Sequence, residues 1–585
     1  MAIDMSVPFS RWRSAWIRLE ALADRPLAFA LLALMIVLPL VAGHKQELTG
    51  DEPRYLLYAI AFIRHGHFLM ALPEWSVISQ HVGVAASGQL PVGLNGSVLM
   101  NPVYLPGLLS PIAGLLSLRG LRLASLTVGI LGLLALWRLL RRVANPLPAL
   151  AAVSITGLSI PLLPYLHIFY MEAFLFAAVA WSWLRLQDRE RGLSGDLLTA
   201  FILLAIPFIH LRGAMVAVLL FLGLLHASYR RDLRARTALL VGLALAAAGL
   251  LVALNLILYG AVTGSVNSAR PPKPWDWFPV LSMQLFNVHH GLLAYAPIWA
   301  LGYAGLCYGA WRGIALARQG LVLALVAAVT GVGVNPGECW PARFWVLSLP
   351  MLSVGLCVWL ARVRGRVAGA VAAMLLLITI VNTAIFIQAP NDFIENRQAS
   401  TTYAHLFERW GILDFNTVLP VEIVDQRNRN AARDFAVGTG LFIGFMALSL
   451  RRSYFAWPAL LLLMLLFDCA RVQQVRQGIS SIAATPRYLH LELAQTVSLP
   501  ILRVGHQNRR WFEPASWMEV TATGADGQSR QILAADPIIL VSCRSGVRGI
   551  EIRADTVDLK AEAEYGLELD RSASLIRTLL PRDAC

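Results

Sequence analysis

Long apolar runs separated by short basic or Pro/Gly-rich breaks follow one another from about residue 26 to residue 470. A transmembrane helix needs roughly 20 mainly apolar residues. By that measure the pattern predicts about thirteen spans, near 26–43, 121–140, 147–163, 173–187, 197–210, 213–228, 236–258, 291–311, 319–335, 344–361, 367–388, 434–450 and 455–470. A further apolar stretch, 103–118, opens at Asn101-Pro102 and is interrupted by Pro106 and Pro111. It is too short and too broken to cross comfortably, and is predicted to lie in the outer interface. Beyond about residue 471 the pattern changes to polar alternation, as at 529–534, 537–541, 549–554 and 565–569. The expected architecture is a mainly α membrane domain over 1–470 followed by a small, β-rich domain over 471–585.

Composition agrees: 57% of residues are hydrophobic and 14% charged, which excludes a water-soluble globule of this length. The formal net charge of +14 would suit a nucleic-acid partner if it formed one basic face. Instead the basic residues cluster at the ends of apolar runs. Arg11, Arg13, Arg18 and Arg25 precede the first span, and later clusters begin at Arg138, Arg185, Arg230, Arg312, Arg362 and Arg451, each after an even-numbered crossing. The positive-inside rule then predicts a cytoplasmic N-terminus and an external C-terminus; the expected location is a bacterial inner membrane. The first run has no small-residue cleavage site after it and reads as a retained anchor. None of the six cysteines forms a CxxC or other metal spacing; Cys543 and Cys585, alone in the last segment, could pair or stay free.

The densest polar signal follows the first span, in Gly50-Asp51-Glu52-Pro53-Arg54-Tyr55. Pro53 suits the first turn of a helix, leaving Asp51 and Glu52 at its positive end. One reading is an N-cap Asp beside a helix-dipole Glu. The other is a general base that removes a hydroxyl proton as an anomeric carbon is attacked. By the predicted topology, Glu172, His210, Arg212, His289, His290 and Arg343 also fall at outer ends of spans, where ionisable groups are expensive and are functional candidates. Arg212 and Arg343 suit a phosphate because guanidinium offers paired donors and stays charged. Arg54, Glu172, His210 and His290 complete the substrate- and phosphate-binding candidates. No P-loop or dinucleotide fingerprint occurs, so a nucleotide donor is not indicated. Arg270, Lys273, Trp275 and Trp277 in the 259–278 loop read first as an interfacial aromatic belt.

GDEPRYLLYA after the first span resembles the acidic motif in the first outer loop of GT-C glycosyltransferases. Asn101-Pro102, Arg122, Tyr170-Met171-Glu172, the segment Pro207 to Arg212 with His210, the run from Leu285 to Pro297, and Trp340 to Phe344 resemble further motifs of that superfamily, in consistent order over about residues 27–390. Met171 stands where relatives carry Pro, and Asn287 where an acidic residue is usual. The resemblance implies a GT-C transmembrane bundle with interfacial helices in its first outer loop. It also implies transfer of a sugar, for example a pentofuranose such as arabinofuranose, from a polyprenyl-phosphate donor to a glycan, lipid or protein hydroxyl, with Asp51 as base and Glu52 beside it. No cofactor is required on that reading, though a divalent cation between Asp51, Glu52 and Glu172 is compatible with it. Two rivals are an O-antigen-type polymerase or ligase, using the arginines of the 391–433 loop, and a lipid or polysaccharide transporter, which would carry polar residues along the middle of its spans.

Overall fold

The computed structural model describes residues 19–41, 51–68, 102–260 without 189, 231 and 232, then 262, 264, 284, 285, 291–331, 341–388 without 363 and 364, and eight strands between Ile479 and Asp570 with the 525–528 turn. The chain separates into two compact units. One holds residues 1–270, 298–331 and 343–372; the other holds 271–297, 332–342 and 373–585.

The first unit is helical: α1 (Pro26–Val41), α2 (Glu52–His65), α3 (Tyr104–Leu108), α4 (Ser110–Leu140), α5 (Pro146–Leu158), α6 (Leu162–Leu166), α7 (Met171–Leu186), α8 (Leu193–Ile209), α9 (Ala214–Arg230) and α10 (Arg234–Tyr259). The short α11 (Leu292–Tyr295) belongs to the other unit, and α12 (Trp299–Trp311), α13 (Ala315–Gly331) and α14 (Leu349–Arg362) return to the first. α15 (Arg366–Gln388) is the last helix among the described residues. Among the described residues, five helices are long and apolar enough to cross a membrane, the segments Ser110–Leu140, Leu211–Arg230, Arg234–Tyr259, Arg343–Arg362 and Ala368–Ile387. Four shorter apolar helices accompany them. The expected spans at 434–450 and 455–470 lie outside the described residues.

Two predicted elements differ in their joints. The stretch expected near 103–118 is two pieces, and its second piece runs into the next helix through Ser117, whose φ of 53° and ψ of −145° interrupt α4. The span expected at 291–311 is broken between α11 and α12, because Pro297 lacks a donor and disfavours helical backbone at Ala296, which sits at φ −134° and ψ 73°. Asn382 of α15 donates to the carbonyls of Ala294 and Tyr295, at 3.3 and 2.8 Å, satisfying acceptors that this break leaves open.

Within the first unit, α12 and α14 approach so closely that a Cβ on Gly305 would lie 1.8 Å from the Gly355 carbonyl oxygen. Small residues of this kind let helix backbones meet where no water drives association. α10 is the opposite case: only 6% of its most apolar window is buried. In the second unit β1 (Ile479–Thr485), β2 (Tyr488–Val497), β4 (Met518–Gly524), β5 (Ser529–Ala534) and β7 (Val547–Ala554) form an antiparallel sheet in the order β1-β2-β7-β4-β5. β3 (Ile501–Arg503), β6 (Ile538–Leu540) and β8 (Glu568–Asp570) form a second, ordered β6-β3-β8. Gly527 at φ 77° turns the β4–β5 hairpin. Cys543 and Cys585 lie outside the described residues.

Candidate active site

α2 begins as the sequence implies, with Pro53 in its first turn and Gly66 in the left-handed conformation ending it. The residue before it behaves differently from an N-cap. Asp51 has helical angles, φ −83° and ψ −10°, and its side chain makes no capping hydrogen bond. The Asp51 carboxylate, 21% exposed, instead takes Oδ2 to Arg343 Nη1 at 2.9 Å and Oδ1 to Arg54 Nη1 at 3.4 Å. Its backbone N–H donates to the Tyr170 hydroxyl at 2.8 Å.

Arg343 starts a 3-10 helix (Arg343–Ser348) just after Ala342, whose φ of 60° turns the chain there. The guanidinium is 7% exposed and joins two carboxylates: Nη1 meets Asp51, while Nε donates to Glu172 Oε1 at 2.6 Å. Glu172 lies in the first turn of α7, where the helix dipole favours an anion, and is 3% exposed. Arg212 Nη1 lies 3.7 Å from the same Glu172 oxygen, and its guanidinium packs 4.2 Å over the Phe344 ring. Arg343 packs 4.7 Å over Tyr170. The other oxygen of Glu172, Oε2, is buried and has no hydrogen-bond partner among the described residues.

His210 ends α8 and accepts the Arg212 backbone N–H on Nδ1 at 3.1 Å. Tyr55 stands edge-on to Phe169 and Tyr170, and burial, followed by the Asp51 charge, pushes its phenol well above 10.0.

The two adjacent acids do different work. Glu52 is fully buried, takes Arg122 Nε and Nη2 on its two oxygens at 2.8 and 2.7 Å, and accepts the Phe169 N–H at 2.9 Å. A carboxylate so enclosed braces the helix ends around it, whereas that of Asp51 stays part-exposed. The Glu52 partners Arg122 and Phe169 fix the segment that carries Tyr170 and Glu172. Asp51, Arg54, Glu172, His210, Arg212 and Arg343 are thus brought together from α2, α7, the α8–α9 joint and the turn before α14. Asn101, His289, His290, Trp340 and the 265–278 segment lie outside the described residues. Among the described residues no three of His, Cys, Asp and Glu converge to hold a metal. The Asp51, Glu52 and Glu172 set named for a divalent cation is divided, because Arg122 takes Glu52 and Arg343 stands between the other two.

Tyr170 and Arg122 were named in the sequence, but their partners were not. The Tyr170 hydroxyl as partner of the Asp51 N–H had no signal beyond its place in Tyr170-Met171-Glu172. Arg122, three residues after Arg119 in an apolar run, is a signal for a buried carboxylate partner.

No protein-family model and no curated protein matches the chain. Among solved structures it is similar to the archaeal oligosaccharyltransferase AglB of Archaeoglobus fulgidus in complex with an inhibitory peptide and a dolichol-phosphate, at 14% identity and a TM-score of 0.40. That match covers 66% of this chain, which spans 57% of the archaeal one. It is also similar to ArnT from Cupriavidus metallidurans in the apo state, at 16% identity, a TM-score of 0.41, and coverage of 76% of this chain and 78% of that one. The undecaprenyl-phosphate-bound form of ArnT matches at 15% identity and a TM-score of 0.35, over 76% of this chain and 79% of that one.

Proposed function

We propose that this protein is an inverting, integral-membrane glycosyltransferase of the GT-C type, working on the outer side of a bacterial inner membrane in a bundle of about thirteen spans. Its donor is a polyprenyl-phosphate sugar, with a pentofuranose such as arabinofuranose as the first sugar to try. Its acceptor is a hydroxyl of a cell-envelope glycan, lipid or protein, and the segment beyond residue 471 is the part suited to hold a polymeric acceptor. One observation carries the reading: the Asp51 carboxylate makes no capping hydrogen bond and is held part-exposed by an arginine that also holds a second, buried acid.

In this mechanism Asp51 takes the acceptor O–H proton while that oxygen attacks the anomeric carbon. The bond from the anomeric carbon to the phosphate oxygen breaks, and its electron pair stays on the phosphate. Arg212 and Arg343, with Arg54 at the rim, offset the charge that develops there. The guanidiniums of Arg54, Arg212 and Arg343 gather at the Asp51 and Glu172 carboxylates, which gives a donor phosphate cationic partners. After transfer, the second charge on the released phosphate is matched by the proton on Asp51. The position of the network at chain joints, away from the middles of apolar helices, fits an enzyme better than a transporter.

The test is release of polyprenyl phosphate by the lipid-reconstituted protein from a panel of polyprenyl-phosphate sugars. Asp51→Asn should lower turnover by at least about 10³-fold with an unchanged melting profile, in line with removal of a general base. Turnover that survives the substitution would overturn the assignment. No turnover of any donor, with release from diphosphate-linked glycans instead, would move the protein to the polymerase reading.

A further inference from the structure

Within the proposed reaction, the buried oxygen Oε2 of Glu172 has no role. It is shielded from solvent and has no partner among the described residues, whereas Oε1 is committed to Arg343 at 2.6 Å and faces Arg212 at 3.7 Å. A buried acceptor left unmade costs about 1–3 kcal/mol, and more for a charged group, so a native site that keeps one calls for a ligand atom to complete it. A metal ion is a poor candidate, because two guanidiniums crowd the same carboxylate and no further His, Cys, Asp or Glu completes a set among the described residues. A cationic amino sugar is a poor one too, since two guanidiniums already face the same carboxylate. A neutral hydroxyl fits: it donates to Oε2 and brings no charge.

The Arg343 guanidinium fixes where that hydroxyl belongs. Its Nη1 holds the base Asp51 and its Nε holds Glu172, so one guanidinium sets the two acids side by side. A sugar whose anomeric carbon is attacked beside Asp51 then presents its ring substituents on the side of Glu172. We propose that Glu172 is the specificity-determining residue for the donor, its Oε2 accepting a hydrogen bond from a ring hydroxyl of the transferred sugar and thereby selecting a neutral hydroxylated sugar over an amino sugar. This rests on the glycosyltransferase reading above and adds the chemistry of the donor ring to it.

The experiment compares kcat/KM, in the reconstituted full chain, for whichever of the polyprenyl-phosphate mannose, glucose, arabinofuranose and 4-amino-arabinose donors turns over. Each active donor is then matched with its monodeoxy analogues, in wild type and in Glu172→Gln and Glu172→Ala. In wild type one deoxy position should lose about 30-fold, the range of a hydrogen bond to a charged acceptor. In Glu172→Gln, which keeps the acceptor for Arg343, the same deoxy penalty should shrink to about threefold or less, and other positions should not change with the variant. Glu172→Ala repeats the reading if the Gln variant rebuilds the contact. A penalty that is the same in all three proteins, one that follows deoxygenation of the acceptor instead, or a preference for the amino sugar would overturn the proposal. Failure of this assignment is separable from failure of the reaction: turnover that depends on Asp51 but shows no coupling to Glu172 leaves the enzyme and removes only the donor contact.

Discussion

The pair of helices α7 and α8 carries a buried cluster of arginine and carboxylate at each end, about 24 Å apart along α7. At the end with the α7 C-terminus, Asp196 is 1% exposed and both of its oxygens are taken, Oδ1 by Arg191 Nε and Oδ2 by Arg236 Nη1, each at 2.8 Å. Arg191 then spends Nη1 on the Arg185 and Asp188 carbonyls, at 2.5 and 2.7 Å, and Arg142 pairs with Asp188 nearby. Every Asp196 oxygen is matched and the loop is tied to itself. At the other end Arg343 is divided between two acids, Asp51 is 21% exposed, and Glu172 keeps an oxygen without a partner. The same residue types make a fastener when their valences close and a site when one is left open to what arrives.

Substitutions can break or sharpen that contrast. The largest expected effect after Asp51→Asn is at the closed cluster. Asp196→Ala leaves two arginines uncompensated and should cost about 3–5 kcal/mol of stability, as loss of one partner of a buried pair does. Thermal unfolding in detergent reads it, and activity per folded molecule should not change. Glu52→Gln should fall between the two classes. It disrupts the bidentate Arg122 pair and should lower the melting temperature, with a modest loss of turnover per folded molecule. A loss as deep as that of Asp51→Asn would return Glu52 to a catalytic role. Tyr170→Phe removes one hydroxyl that accepts the Asp51 N–H, with an expected stability cost near 1 kcal/mol and about a tenfold loss in kcat with KM little changed.

Much of the candidate site was legible because ionisable residues are costly in an apolar chain, so each one that persists draws notice. Asp51, Glu172, Arg212 and Arg343 stood out for that reason and do meet. Their assembly into contacts was not legible, because the pairs span more than 100 residues and depend on how helices pack. From the dipeptide alone, Asp51 and Glu52 were equivalent; one turn of backbone aims Glu52 at Arg122 and leaves Asp51 toward Arg343.

Helix positions followed from apolar period and length, since each helix satisfies its own backbone and can be read locally. The breaks were less plain. Pro297 announced one, but Ser117, at φ 53°, carries no local signal. The sequence by itself determined that this chain belongs in a bilayer and which few charged residues deserve suspicion, because hydropathy is a sum over neighbours. Only the tertiary structure decided which acid is braced, which is held toward solvent and which oxygen is left open, because those outcomes rest on hydrogen-bond valence filled by residues far away in the chain.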